Sequence, residues 1–473
     1  MNKFPTGQDF STFTMSQPAP MVKTGSKTCP ASLGNGLEYI VCSERCALVS
    51  QKTLRSMHKN LLVVGGGIEA VPGLERAKQM GLHLVVSDTN PEAPGFAVAD
   101  DRLLASTYDI EATVAAARGY HRAVRRFDGV MCIASDIPKT VAAVAADLGL
   151  PGISRESAHL SSDKLDMKLK FRRDSVPVPW FSLVESAARL HEIVLSRGFP
   201  LVIKPVDSRG ARGVLRLTEA VDLDWAYQFS TSQSPSGRVM VEEFLAGPQI
   251  STESIVLEGV AYTPGLADRN YEFLDRFAPH IIENGGDLPT QLPAEEQQAI
   301  CDLIQQAATS MGVCNGVVKG DVVFHDGKPF VIELATRLSG GYLCTHEIPL
   351  STGVDFVGCA IRLALGERVS ADELVPRFQR CISQRYLFPS PGRVVGIAGA
   401  QGVSEQPGVV FCQVRLREGD LVGPVNSHPA RAGLVMAMGE SRREAMERTQ
   451  AAIESIEIET ASIDATDPIG ANR

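Results

Sequence analysis

Short apolar runs alternate with helix-patterned stretches in the first third of the chain. Residues 60–67 (NLLVVGGG) read as a buried strand ending in glycines, 68–81 have the spacing of an amphipathic helix, and 82–88 (LHLVVSD) read as a second strand. A further strand and helix follow within 127–150. Because strands joined by helices form parallel sheets, we predict a first domain of βαβ units at 58–153.

The pattern changes in the second block of the chain, where strand runs pair through tight turns. Apolar runs occupy 199–206 and 238–245, and residues 319–334 contain two runs joined by the turn HDGK. A turn of this kind joins antiparallel strands. Residues 154–374 therefore predict an α+β domain rather than a second parallel sheet.

The remaining segments predict one small domain and two irregular ends. Residues 375–460 mix apolar runs with a helical stretch, which predicts a small closing α+β domain. Residues 1–57 are rich in Ser, Thr, Pro and Gly and predict a mobile extension, and residues 461–473 predict a disordered tail. Three cysteines of the extension lack paired Cys-x-x-Cys spacing, so no metal site is assigned to them.

Composition narrows the classes of function. The 473 residues are 44% hydrophobic and 21% charged, as in ordinary globular proteins of several domains. With 46 Lys and Arg against 55 Asp and Glu, the net charge of −9 disfavours nucleic acid as a partner. No apolar stretch predicts a membrane span or a secretory signal, and the scattered cysteines within apolar segments predict buried, reduced thiols, so we expect a cytoplasmic protein.

The glycine turn after the first strand allows two interpretations. Gly65, Gly67 and Ala70 match the pattern G-x-G-x-x-A, and Asp88 ends the next strand at the offset of a ribose-binding acid. The pattern is typical of an NAD-dependent dehydrogenase that uses the turn from Gly65 to Ala70. The same glycines would also let any strand pack tightly on its helix, so the signal is weak by itself.

Charged residues at strand ends of the second block indicate phosphate binding. Lys204 ends an apolar run, and Arg209 lies in the glycine-containing loop Asp207–Gly213 that follows. Lysine ammonium, arginine guanidinium and glycine amides are suited to phosphate oxygens, although a basic surface turn would look the same. Glu242 and Glu243 could accept hydrogen bonds from an adenine amine and ribose hydroxyls, or could be a solvated strand end.

The strongest chemical signal lies in the hairpin of residues 319–334 and the turn after it. Asp321 and Glu333 belong to its two strands, so strand pairing can bring both carboxylates to one face. Two buried carboxylates repel one another, and a divalent cation such as Mg²⁺ removes that penalty. Arg337 and the turn Ser339–Gly341 follow directly, where an arginine can neutralise an oxyanion or fork onto a carboxylate. A salt-bridged hairpin is the structural alternative.

Taken together, these segments resemble the ATP-grasp superfamily of carboxylate–amine ligases over residues 58 to about 460. The segments that carry the resemblance are DKLDMK (163–168), VIKPVDSRGARGV (202–214), VEEFLAG (241–247), GDVVF (320–324) and IELATRLSGG (332–341). The resemblance implies an α/β ATP-grasp architecture with a parallel-sheet N-terminal domain, a two-lobed α+β ATP-binding domain and a small C-terminal α+β domain.

The resemblance also implies roles for individual residues. Lys164 and Lys204 would contact the ATP phosphates under the loop Ser208–Gly213, and Asp321 and Glu333 would bind Mg²⁺, with Mn²⁺ as a possible substitute. The full set implied for ATP is Lys164, Lys204, Ser208, Arg209, Gly210, Gly213, Glu242, Glu243 and the backbone at Phe244. The residues implied for catalysis are Lys204 and Arg337, and those for substrate are Arg337, Ser339, Gly340 and Gly341.

Two departures from the family pattern affect these roles. Many members have Gly-x-Glu after the hinge strand, whereas this chain has Gln249 at the Glu position, so Glu253 becomes the substitute acid for ATP binding. Many members also have an Asn two residues after the second metal ligand, where this chain has Ala335. Loss of that amide leaves open whether one or two metal ions bind.

The activity implied is ATP-dependent activation of a small-molecule carboxylate as an acyl phosphate, followed by attack of an amine to form an amide or peptide bond. An ATP-dependent carboxylase, the NAD-dependent dehydrogenase and a non-catalytic nucleotide-binding module are the alternatives. A homodimer is a possible assembly, because dimers are common in the superfamily.

Overall fold

The first sheet of the fold has four parallel strands in the order β3-β2-β1-β4. Its strands and the helices around it are β1 (Asn60–Val64), α1 (Val71–Gln79), β2 (His83–Asp88), β3 (Asp101–Leu104), α2 (Ile110–Ala123), β4 (Gly129–Met131) and α3 (Pro138–Leu148). Every residue of β1 is buried, because helices cover both faces of the sheet. The continuous apolar runs of the sequence therefore correspond to central parallel strands, as predicted.

The computed structural model describes residues 58–462. The extension predicted at 1–57, with its three cysteines, and residues 463–473 of the predicted tail lie outside the described residues. Between residues 58 and 462, no helix is long and apolar enough to cross a membrane.

A four-stranded antiparallel sheet in the order β5-β8-β6-β7 follows. The elements of this segment are α4 (Arg155–Leu160), α5 (Lys164–Arg173), β5 (Phe181–Val184), α6 (Ala187–Arg197), β6 (Leu201–Pro205), β7 (Leu215–Leu217), α7 (Leu223–Ser232) and β8 (Val239–Glu243). Leu190 of α6 packs with Ile203 and Val241 of the sheet in one apolar cluster. The opposite face of this sheet therefore faces the rest of the molecule.

The largest sheet has eight antiparallel strands in the order β13-β12-β9-β10-β11-β14-β18-β16. The elements from here to the end are β9 (Gln249–Leu257), β10 (Val260–Arg269), β11 (Gly286–Leu288), α8 (Ala294–Ser310), β12 (Gly316–His325), β13 (Lys328–Ala335), α9 (Ile348–Thr352), α10 (Phe356–Ala364), β14 (Cys381–Tyr386), β15 (Gly392–Ala398), α11 (Ala400–Val403), β16 (Val409–Val414), β17 (Leu421–Val422), β18 (Gly433–Gly439), α12 (Arg442–Glu454) and β19 (Glu457–Ala461). A small sheet, β17-β15-β19, completes the fold. The large sheet contains strands from before and after residue 375, so this sheet extends across the predicted domain boundary at that residue.

The hairpin of β12 and β13 places the predicted metal ligands. Its turn has left-handed backbone at Asp326 (φ 46°) and Gly327 (φ 74°), the geometry that joins two antiparallel strands most tightly. A β-bulge between Asp321 and Val322 then shifts the pairing so that Asp321 lies opposite Glu333. Directly opposite residues project to the same face, so the predicted juxtaposition of the two carboxylates is confirmed.

The seven described cysteines are free thiols, and three of them follow the expectation of burial. Cys132, Cys344 and Cys359 are buried, Cys314 is exposed, and the other three are partly buried. Burial raises the pKa of the Cys132 thiol to about 12, which keeps it protonated and unreactive. Cys314 lies in the short connection between α8 and β12, where an apolar neighbourhood in sequence did not translate into burial.

Candidate active site

A cavity of about 590 Å³ lies between the antiparallel four-stranded sheet, β5-β8-β6-β7, and the eight-stranded sheet. Its walls also include residues from the loops after β1 and β4 and from the C-terminal segment. The predicted site residues that line it are Lys164, Lys204, Ser208, Arg209, Gly210, Glu242, Glu243, Phe244, Asp321, Glu333, Arg337, Ser339, Gly340 and Gly341. The volume is within the range of pockets that bind small molecules.

The two candidate metal ligands are held by cations on neighbouring strands. Asp321 accepts a hydrogen bond from Ser251 Oγ at 3.0 Å and pairs with Arg269 at 3.0 Å and with Lys319. Burial by itself would raise the pKa of Asp321, but Arg269 and Lys319 hold it well below its ordinary value. Glu333 pairs with Lys164 Nζ at 3.2 Å. Asp321 is thus ionised at neutral pH, as a ligand of a divalent cation must be.

The oxygen donors here fit one divalent cation with additional ligands from outside the protein. Asp321 and Glu333 supply hard carboxylate oxygens on one face, and Ala335, two residues along the same strand, presents only a methyl group to the cavity. Among residues 58–462, no group of three or more His, Cys, Asp or Glu residues is arranged to hold a metal. The set suits Mg²⁺, which keeps waters or phosphate oxygens in its shell.

Glu242 has a different environment from the one expected of an adenine contact. Its buried carboxylate accepts a hydrogen bond from Lys204 Nζ at 2.5 Å and forms an ion pair with Lys168 Nζ at 2.9 Å. Burial lowers the pKa of Lys168 to about 8, an effect that the charge of Glu242 only partly offsets. Glu242 therefore holds two lysine ammonium groups at one edge of the cavity, and its contacts give no support to an adenine role. Glu243, with a half-exposed side chain, stays available for ATP.

The glycine-containing loop after β6 connects three parts of the molecule. Lys164 Nζ donates to the carbonyl of Ser208 at 2.7 Å, and Arg209 lies over the ring of Tyr108, 3.9 Å from its centroid. The amide of His428 donates to the carbonyl of Gly210 at 2.9 Å. Gly213 does not line the cavity; its φ of 74° and its contact with Pro205 make it a conformational requirement of the loop.

Arg337 is fixed by an acid that the sequence did not identify. Its guanidinium forks onto Asp136 in the loop after β4, with Nε 2.6 Å and Nη2 2.5 Å from Oδ1. The charge of Asp136 raises the pKa of Arg337 further above its ordinary value despite burial. Two contacts were expected of Arg337, a fork onto a carboxylate and contact with an oxyanion. Asp136 provides the first. The Arg337 side chain also lines the cavity.

Glu253 supports the substrate loop from behind rather than from within the cavity. Its buried carboxylate accepts from the amide of Ser339 at 2.7 Å, and burial raises its pKa to about 7. Glu253 itself does not line the cavity, although Ser339 does. Its position matches a structural support for the Ser339–Gly341 loop and not a contact to ATP.

The Ser339–Gly341 loop joins the N-terminal and C-terminal parts of the cavity wall. The amide of Gly341 donates to Glu69 Oε2 at 2.8 Å, and Arg415 Nη2 donates to Glu69 Oε1 at 2.6 Å. Gln384 Nε2 donates to the carbonyl of Gly341 at 2.8 Å. These contacts bring residues from three distant sequence segments to the point where the substrate was expected.

Several residues of the cavity carry no recognisable signal in the sequence. Lys319 lines the cavity two residues before Asp321 on the same strand, so strand periodicity could have identified it, whereas Lys168 is buried against Glu242 and does not line the cavity. The others that line the cavity come from separate segments: Glu69, Asp136, Glu283, Glu347, Gln384, Tyr386, Arg415 and Arg431. Only the tertiary structure brings these together.

The glycine turn after β1 has a structural explanation. The amide of Gly66 donates to Asp88 Oδ2 at 2.8 Å, and the amide of Asn90 donates to Oδ1 at 2.9 Å. A Cβ on Gly65 would come within 2.6 Å of Ser135 Oγ, so the turn needs glycine for packing. Asp88, the expected ribose ligand of a dehydrogenase, is thus engaged by the backbone of its own sheet edge.

Comparisons with known proteins agree with this geometry. Residues 161–341 match the family model of the ATP-grasp domain, and residues 385–461 match L-amino acid ligase C-terminal domain 2. An uncharacterised protein of Sinorhizobium fredii is 26% identical over 391 residues, which cover 81% of this chain and 79% of that protein. The D-alanine–D-alanine ligase of Ralstonia nicotianae is 26% identical over 262 residues, or 53% and 76% of the two chains.

Solved structures share the fold over most of both chains. An L-amino acid ligase from Bacillus licheniformis superposes with a TM-score of 0.73 at 21% identity, covering 86% of this chain and 99% of that one. A phosphoribosylglycinamide synthetase from Anaerococcus prevotii gives 0.66 at 16% identity, with coverages of 85% and 100%. At these identities the likeness establishes the arrangement of the sheets around the cavity.

Proposed function

The chain belongs to the ATP-grasp carboxylate–amine ligases, and we propose that it forms a peptide bond between two amino acids with ATP as phosphoryl donor. The observation that carries this proposal is the match of residues 385–461 to the L-amino acid ligase C-terminal domain. That segment supplies Tyr386, Arg415 and Arg431 to the cavity wall. The part of the chain that resembles an amino-acid ligase is therefore also a part that faces the proposed substrate.

We assign the polyphosphate of ATP to the end of the cavity formed by β6, α5 and the loop after β6. Lys164 and Lys204 provide point charges there, and Ser208, Arg209 and Gly210 form the cover. Glu243 and the backbone at Phe244 lie at the neighbouring strand end, where adenine and ribose would bind. Glu242 keeps Lys204 in place, which makes it a positioning residue.

Asp321 and Glu333 are proposed to hold Mg²⁺, or Mn²⁺, together with the phosphates. When bound, the cation neutralises phosphate charge and orients the γ-phosphate. Lys164 and Lys319, which pair with these carboxylates, can turn toward phosphate oxygens as the carboxylates bind the cation. Ala335 offers no third ligand, which favours a single tightly held ion.

The reaction then proceeds by phosphoryl transfer and aminolysis. A carboxylate oxygen of the first amino acid attacks the γ-phosphorus, ADP leaves, and Arg337 stabilises the negative charge of the resulting acyl phosphate. The amine of the second amino acid attacks the carbonyl carbon, loses a proton, and releases inorganic phosphate. The loop Ser208–Gly213, which already contacts Tyr108 and His428, is proposed to exclude water from the acyl phosphate.

The test is a screen of phosphate release from ATP across pairs of L- and D-amino acids, with products identified by mass spectrometry. We expect a dipeptide in amounts equal to the phosphate released, and loss of both on removal of divalent cations. Phosphate release that needs bicarbonate instead of an amine would favour the carboxylase, and ATP binding without turnover would favour a binding module.

Glu333→Ala tests the metal assignment within the same assay. We expect it to abolish phosphate release, while Glu75→Ala, an exposed carboxylate on α1, keeps the wild-type rate. Near-normal ATP turnover by Glu333→Ala would exclude Glu333 as a metal ligand.

A further inference from the structure

Glu347 is a buried carboxylate that faces the cavity without a partner. It ends the π-helical turn Leu343–Glu347, which follows the Ser339–Gly341 loop, and its residue surface is 3% exposed. It lines the cavity, and its Oε1 has no hydrogen-bond partner within residues 58–462. Since burial of an unpaired carboxylate is costly, this arrangement needs an explanation.

The arginines around Glu347 are already paired with other acids. Arg385 forks onto Asp287 at 3.0 and 3.2 Å, and Arg415 pairs with Glu69. Arg431 donates to the carbonyl of Glu283 at 2.7 Å and lies 3.9 Å from its carboxylate. None of these ion pairs includes Glu347, so these arginines leave it without a cationic partner.

The pKa of Glu347 agrees with this lack of a partner. Burial and, to a smaller extent, the negative charges of Glu283 and Asp287 together raise this pKa to about 8, against an opposing effect of Arg385. A cation brought into the cavity would lower that pKa by pairing with the carboxylate. The cavity is therefore prepared for a positively charged group at this position.

We propose that Glu347 binds the ammonium group of an amino-acid substrate, an inference that rests on the proposed function. Leu343 and Tyr386 line the same cavity, and Tyr386 is close enough for the charge of Glu347 to raise its pKa, so an amino acid with an apolar side chain fits better than one with a large polar side chain. Gly340 and Gly341, which the resemblance implies for substrate, also line this cavity. Either the amino acid that becomes the acyl phosphate or the one that attacks it could supply the ammonium.

The experiment compares the wild type with Glu347→Gln for the amino-acid pair that the wild type joins best. Gln keeps the size of the side chain and removes the charge, so we expect KM for one amino acid to rise about 10- to 100-fold, while KM for ATP stays unchanged. Glu347→Asp should recover part of the affinity. Glu405→Gln, an exposed carboxylate, is the matched control and should behave as the wild type.

An assay with hydroxylamine distinguishes which of the two amino acids has the ammonium group that Glu347 is proposed to bind. It replaces the attacking amine and traps the acyl phosphate as a hydroxamate, so only the first amino acid is needed. If Glu347→Gln raises KM in hydroxamate formation, and the rise disappears with a substrate that lacks the α-amino group, the ammonium belongs to the first amino acid. If hydroxamate formation is unchanged and only dipeptide formation is weakened, it belongs to the second.

The inference and the proposed function can fail separately. If the wild type joins amino acids and Glu347→Gln leaves both amino-acid KM values unchanged, the inference is overturned and the ligase stands. If the wild type joins none, the proposed function fails and the inference with it. A thermal melt of the free protein checks folding, since loss of an unpaired buried charge should leave Tm unchanged or higher in Glu347→Gln.

Discussion

Glu242 and Glu243 are adjacent in the chain, yet the structure predicts opposite consequences for their substitution by Gln. Glu242 is 3% exposed and holds Lys168 and Lys204, which are 0% and 4% exposed. Glu243 has a side chain that is 45% exposed and lies 3.9 Å from Arg197. Glu242→Gln leaves two buried ammonium groups together, whereas Glu243→Gln removes only a weak surface pair.

The size of the effect follows from the burial of the lysines. Breaking a buried pair by removing one partner typically costs about 3 to 5 kcal/mol. Lys168 can also lose its proton, and because its pKa in the folded protein is about 8, doing so at pH 7 costs only about 1.4 kcal/mol, which limits the share of the loss that falls on Lys168. We therefore expect Glu242→Gln to lose about 3 to 5 kcal/mol and Glu243→Gln less than about 1 kcal/mol.

Thermal melts followed by circular dichroism measure this difference, with hydrogen exchange in α5 and β8 as a local readout. Glu242→Gln should melt about 2 to 6 °C below Glu243→Gln. The double variant Lys168→Met, Glu242→Gln should recover part of the loss, since it leaves only one buried ammonium group. Equal melting temperatures for the two single variants would refute the assignment of Glu242 to the lysines.

Three further predictions concern the other charged groups of the cavity. Ala335→Asn restores an oxygen ligand beside Glu333 and should lower the Mg²⁺ concentration needed for half-maximal phosphate release; an unchanged or higher requirement would place Ala335 away from the ion. Arg337→Lys loses the fork onto Asp136 and should reduce kcat at least about tenfold with little change in Tm, as measured by phosphate release; a wild-type kcat would remove Arg337 from the reaction. The pKa of Lys168 in the folded protein, about 8, lies below its ordinary 10.5, so the unfolded chain binds the proton more tightly and the wild type should gain stability relative to Lys168→Met as pH rises from 8 to 10.5. Parallel melting curves of these two proteins across that pH range would contradict this.

The hairpin of β12 and β13 is the part of the site that sequence predicted best. The turn at Asp326 and Gly327 can be read from a short segment of the sequence. Its register alone would place Asp321 opposite Ile332, and a β-bulge next to Asp321 shifts the pairing so that Asp321 lies opposite Glu333. The hairpin turn was thus predicted from the sequence, whereas the bulge was not.

The partners of Glu242 and Glu253 could not be predicted from the sequence. Both were expected at ATP, but Glu242 meets a lysine on α5 and Glu253 meets the amide of Ser339. The family pattern identifies which positions have acids, and the partner of each acid depends on which helix or loop packs against its strand. The structure therefore gives Glu242 and Glu253 partners that the sequence did not predict, because those partners lie on other elements of the fold.

The sequence by itself indicated the order of the segments, the parallel and antiparallel strand types, the hairpin turn and the residues proposed for phosphate and metal. Periodicity and turn chemistry act over a few residues, so they can be read along the chain. The tertiary structure alone decided the substrate end of the cavity, where Glu69 pairs with Arg415 of the C-terminal segment and Glu347 lines the same cavity. Charge pairing and burial there depend on contacts between sheets, and it is this packing that leaves Glu347 buried without a cation.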